Sequence, residues 1–209
     1  MATPPEPSPE PVPADAKRAS KSKSLRADAR RNRLRILEAA EVVFAAKGSS
    51  ASTEEIAHRA GVGIGTLFRH FPTKEALVEA ILVARVGRLA EEADRLAAHG
   101  DAATAFFTYF TRTVAEAEAK KIYTEILADN IIDIRTVAPE IYQRLRHGVG
   151  TLLARAQEAG TIRTDIGVSE VMALLVGAIQ ATESAGTDGA LRDRILAVFL
   201  DGLRPAQRR

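Results

Sequence analysis

The chain is 209 residues long and 46% hydrophobic, with a formal net charge of only +2. That is enough apolar material for one or two packed domains. With no cysteine, disulfides and thiolate metal sites are excluded, and the chain suits a reducing cytoplasm. The longest nearly unbroken apolar run, Val171 to Ala181, is too short to span a bilayer, and the N-terminus lacks the apolar stretch of a signal peptide. No membrane association is expected.

Six of the nine prolines fall within the first thirteen residues, and the stretch that follows is mostly Ala, Ser and Lys. Such a segment buries too little apolar surface to offset its ordering entropy, so residues 1–28 are expected to be a disordered tail. Charge is concentrated nearby. Residues 17–35 carry nine bases and Asp28 alone, a net +8. A basic block ahead of a near-neutral body points to a polyanionic partner, the alternative being a solvated tail.

From about Ala29 the pattern is helical. Leu34, Leu37, Ala40, Val43 and Phe44 recur at three- and four-residue spacing, and Gly48 closes the helix. Ser52-Thr53-Glu54-Glu55 reads as a capping box with Ser52 as N-cap. The helix it opens is short, since Gly61 ends it. A tight turn leads to a second short helix near Ile64–His70, stopped by Pro72. Thr73 then caps a long helix from Lys74 to about Ala98. Beyond Gly100 the spacing predicts five helices, near 101–118, 120–133, 138–159, 167–184 and 188–203, punctuated by glycine and proline. No run alternates like a strand. The expected fold class is all-α with about nine helices: a tail, a helix-turn-helix domain over 29–76 and a C-terminal helical domain over 77–209.

Two short helices joined by a glycine turn form a helix-turn-helix. Ile56, Ala57, Ala60, Val62, Leu67 and Phe71 supply its inner face, and Gly61 supplies a left-handed residue at the turn. The second helix is then free to enter a major groove. Gly63 and Gly65 keep its start slim. Thr66, Phe68, Arg69 and His70 are its exposed candidates. The Gly-Val-Gly-Ile-Gly run is not part of a strand–helix dinucleotide unit, so no cofactor is expected.

The stretches "ILEAAEVVFAAKG", "STEEIAHRAGVGIGTLFRHF" and "PTKEAL", within Arg33 to Leu77, resemble the DNA-binding domain of the TetR family of bacterial transcriptional regulators. "AQEAGTIRTDI" also resembles the link between the seventh and eighth helices of many members. The resemblance implies a homodimeric, usually repressing protein that binds a double-stranded DNA operator, with a C-terminal domain that dimerises and takes a small-molecule effector. By position, it implies that Thr53, His70 and Lys74 meet phosphate and that Gly65 and Thr66 meet bases and backbone. Arg33, where the matching segment opens, is grouped with them. Phe68 replaces a usual tyrosine and can offer apolar contact to a thymine methyl. Arg69 suits a bidentate guanine contact.

In the C-terminal half, Phe106, Phe107, Tyr109 and Phe110 cluster within five residues. Phe106, Tyr109 and Phe110 share a face that suits either a core or a pocket lining, and Phe107 points elsewhere. Tyr123, Asn130 and Tyr142 could add polar tips to a pocket. The helix around "VMALLVGAIQA" is apolar on every side and must be buried, which leaves Met172, Val176 and Ile179 for a partner copy, with Leu191, Ile195, Val198 and Phe199 from the last helix. Two such helices per subunit would make a four-helix bundle. His58, His99 and His147 are scattered without a carboxylate or cysteine pattern, so no metal site is expected. No acid–base–nucleophile constellation is visible, which disfavours an enzyme. The alternative to a regulator is an all-α carrier or enzyme that retains a helix-turn-helix.

Overall fold

The computed structural model describes residues 14–118 and 133–206. All regular structure there is helical, in nine α-helices and one 3-10 turn. The helices are α1 (Ala14–Lys47), α2 (Thr53–Ala60), α3 (Ile64–His70), α4 (Lys74–His99), α5 (Ala105–Glu118), α6 (Ile134–Val137), α7 (Pro139–Glu158), α8 (Val168–Ser184) and α9 (Gly189–Leu203).

Helix α1 begins fifteen residues earlier than expected, at Ala14 rather than Ala29. The boundary is Pro13, the last of the N-terminal prolines. Beyond it, Ala, Lys and Arg predominate, and each favours helix. Residues 14–28, expected as part of the tail, thus belong to α1 here, and residues 1–13 lie outside the described residues. The helix expected over 120–133 also lies outside them except for Asp133. After it comes a short helix that the sequence reading missed, α6, whose N-cap is Asp133, with the Asp133 carboxylate accepting from the Arg135 backbone N–H.

Two cores share one helix. The first gathers Ile36, Leu37, Ala40 and Phe44 of α1, Ile56 and Ala57 of α2, Leu67 of α3, and Leu77, Val78 and Ile81 of α4. Each large apolar side chain fully buried this way contributes about 1.5–3 kcal/mol. The second gathers Ala90, Ala93 and Leu96 from the far half of α4 with α5, α7 and α8. Helix α4 thus runs from one core into the other.

Packing of α4 against α7 depends on small residues. A Cβ at Gly148 of α7 would come within 2.8 Å of the Ala93 Cβ, so the two backbones approach more closely than ordinary side chains permit. The Arg155 guanidinium of α7 then donates to the carbonyls of Leu96 and Gly100, at 3.3 and 3.0 Å, and also to that of Ala97. The Leu96 carbonyl also accepts from the Gly100 N–H at 2.8 Å, and a cation at this helix end suits the helix dipole. Near the middle of α4, Arg88 pairs with Glu41 of α1 at 2.7 Å.

Candidate nucleic-acid interface

Local chemistry fixes the helix-turn-helix. The Ser52 hydroxyl accepts from the Glu55 backbone N–H at 3.2 Å, and the Glu55 carboxylate accepts from the Ser52 N–H at 3.4 Å, completing the expected capping box. A Lys47 ammonium bonded to Glu55, together with the Ser52 N–H, holds that carboxyl below its ordinary range. Gly61 leaves α2 at φ +62°, the left-handed region, as the sequence requires. Thr73 caps α4 by accepting from the Ala76 N–H at 3.1 Å.

Arg35 is a residue that sequence reading missed. Its Nε and Nη2 donate to the Ala60 carbonyl at 3.0 and 2.6 Å, and Nη2 also reaches the Gly61 carbonyl at 2.8 Å. It ties α1 to the end of α2 and sets the turn. An arginine followed at a distance by a glycine-ended helix carries no local signal for this, because the contact spans 25 residues.

The orientation of α3 sorts its residues. Leu67 is buried in the first core, and Phe71, just beyond the helix, is buried with it. Ile64, Gly65, Phe68 and Arg69 are exposed and occupy the opposite arc, while Thr66 and His70 are half-buried at its flanks. A Cβ at Gly63 or Gly65 would meet nothing within 4 Å, so the space in front of the helix start is open. The Arg69 Nε donates to the Gly65 carbonyl at 3.2 Å, which lays the side chain along the exposed face. Thr53 is half-buried at the head of α2.

Two of the expected phosphate-side residues have internal work. The Lys74 ammonium donates to the Ser49 and Ala51 carbonyls at 2.7 and 2.8 Å and lies over the Phe44 ring. Two of its three donors are therefore engaged inside the domain. The Arg33 guanidinium stacks over the Phe71 ring at 5.1 Å.

In the C-terminal half the aromatic cluster divides between core and surface. Phe106, Tyr109 and Phe110 are fully buried members of the second core, and none of them lines a described cavity. Burial pushes the Tyr109 phenol up to about 12. Their spacing matched a core face because α5 packs flat against α8. Phe107, which points the other way, lines a surface cavity of about 540 Å³ with Thr104, Thr108, Arg112 and Arg204, and Arg204 lies over its ring at 5.0 Å. Tyr142 lines a second cavity of about 580 Å³ with Arg135, Arg146, Ser169, Met172 and Val176. Tyr123 and Asn130 lie outside the described residues.

The last two helices divide their apolar side chains. Met172, Ile179 and Phe199 pack partly on the second core, and the Phe199 ring comes within 3.8 Å of where a Gly177 Cβ would stand. Leu191 and Ile195 are half-buried. Val176 and Val198 remain 54% and 72% exposed, the two most exposed large hydrophobics described.

Comparison with known proteins fits this geometry. The model for bacterial regulatory proteins of the tetR family matches residues 36–81, the first core and its helix-turn-helix. The model for the C-terminal domain of SbtR-like transcriptional regulators matches residues 101–205. A TetR transcription regulatory protein from Mycobacterium vanbaalenii, known from its crystal structure, is 40% identical, with 87% of this chain and 99% of that one covered and a TM-score of 0.67. The chain belongs to the TetR family. Another structure of a TetR regulator, SCO0520 from Streptomyces coelicolor, is 35% identical over 83% of this chain and 99% of that one, with a TM-score of 0.64. The regulator TtgR from Pseudomonas putida is 28% identical over 66% of this chain and 71% of its own length. As a TetR-family protein the chain is a helix-turn-helix DNA-binding transcriptional regulator, and the carrier or enzyme alternative is not favoured. No described helix is long and apolar enough to cross a membrane.

Proposed function

We propose that this TetR-family chain works in the cytoplasm as a homodimeric repressor, not an enzyme, that holds a near-palindromic operator and releases it when a small molecule enters its C-terminal domain. The observation that carries the reading is the outward arc of α3. Gly65, Phe68 and Arg69 stand exposed with open space before them, while Leu67 holds the helix from behind. In this reading α3 lies in the major groove, Arg69 reads a base edge, and Thr53, Thr66 and His70 bond the flanking backbone. Lys74 reaches phosphate with its remaining donor, and Arg33 stays stacked while presenting its charge.

One short helix reads only a few base pairs, so two copies about one DNA turn apart, roughly 34–36 Å, are required. The exposed Val176 and Val198 support a dimer built on α8 and α9. The cavity beside Tyr142, walled by Met172 and Val176, supports an effector site next to that interface. A ligand there would shift α7, and α7 grips α4 through Gly148 and Arg155. Helix α4 would pass the shift to the first core and alter the separation of the two α3 helices.

A gel-shift titration on the DNA upstream of the gene, against a scrambled duplex of equal composition, tests the reading. The expected result is selective retardation with two chains per duplex. Equal retardation of both duplexes would overturn it.

A further inference from the structure

Seven large hydrophobics are exposed among the described residues, and two of them, Ile64 and Phe68, lie on the seven-residue α3. They are 39% and 43% exposed. Four residues apart, they sit side by side on one helix face. Gly65 lies next to them with open space over it. An exposed apolar ridge of this kind is a contact surface. Residues 61–74 around it carry Arg69, His70 and Lys74 and no carboxylate, which suits a polyanion as the occupant.

Neither side chain can exchange hydrogen bonds with a base edge. The apolar feature that the major groove offers is the C5-methyl group of thymine. Resting on the DNA-binding reading above, we infer that Ile64 and Phe68 form one apolar ridge that reads the C5-methyl groups of thymines in each half-site. At those positions the sequence is chosen by methyl burial rather than by hydrogen bonding. Arg69, across the same arc, supplies the hydrogen-bonded contact beside them. The division follows from the geometry of α3: the apolar pair takes one side of the exposed arc and the guanidinium the other.

The test begins with a random duplex library from which the purified full-length chain selects its sites. The selected duplex is then resynthesised with deoxyuridine in place of thymidine, one position at a time. Uracil keeps the O4 acceptor and loses only the methyl group. Two positions per half-site are expected at which the loss weakens binding about fourfold each, the effect of one buried methyl. In Phe68→Ala one of these positions should become insensitive to the methyl, and in Ile64→Ala the other. Phe68→Leu, which stays apolar, should keep its position sensitive. Helical circular dichroism identifies any variant that fails to fold, and the deoxyuridine series on the unaltered chain decides the matter without them. Selected sites at which no deoxyuridine weakens binding would overturn the inference. So would a methyl effect that persists undiminished when both Ile64 and Phe68 are alanine. A library from which nothing is enriched would overturn the DNA-readout reading itself, a different failure.

Discussion

The two cores of this chain differ in how they are built. The first holds the short α2 and α3 against the long α1 and α4, and its helix starts are set by neighbours three residues away, as Ser52 and Glu55 set α2 and Thr73 sets α4. The second is made from long helices whose positions depend on distant partners. Gly148 admits Ala93, and Arg155 closes the end of α4 from a separation of more than fifty residues. Local rules are enough to place a recognition surface, whereas a pocket or an interface depends on which long faces meet.

The sharpest way to break this comparison is at the exposed end of the second region. Val176→Glu would set a carboxylate against its own symmetry mate if α8 builds the dimer. Desolvation would cost several kcal/mol per ion. The variant should sediment as a monomer at micromolar concentration, keep its helical circular dichroism and lose operator binding. A dimer that binds normally would place the interface elsewhere.

The next largest effect separates core from pocket. Phe110 is fully buried, so Phe110→Ala should cost about 3–5 kcal/mol in urea unfolding through the cavity it leaves. A residue lining an effector site would show little loss, and unchanged stability would return Phe110 to the pocket.

Two predictions sharpen the first region. Arg69→Ala should cost about 1–3 kcal/mol on the operator and far less on random DNA. Equal losses on both would make Arg69 a phosphate contact. Removal of residues 1–28 should weaken binding on all sequences alike, and the log–log salt slope should flatten by about 0.9 for every phosphate that those residues neutralise. An unchanged slope would make the bases of residues 17–28 a solvated extension.

What the sequence made legible follows the same division. The all-helical class, the capping box, the left-handed Gly61 and the limits of α2 and α3 are all written in short-range spacing. The exposed arc of α3 follows from placing Leu67 inward, and the resemblance on Arg33 to Leu77 matches the family the chain belongs to. Arg35 was not legible, because its carbonyl partners at Ala60 and Gly61 lie a helix and a turn away. The resemblance implies only a phosphate contact for Lys74, yet the fold also brings the Ser49 and Ala51 carbonyls to its ammonium. Phe106, Tyr109 and Phe110 share a helical face in either role, and only the packing of α5 against α8 makes that face core.

The claim that two copies of α3 read the two halves of one operator is most directly tested by methylation protection of guanine N7 in the major groove of the upstream duplex bound by the full-length chain. The account expects two protected tracts on one face of the DNA, with centres about one helical turn apart. Protection at a single tract, or spread evenly along the duplex, would contradict it.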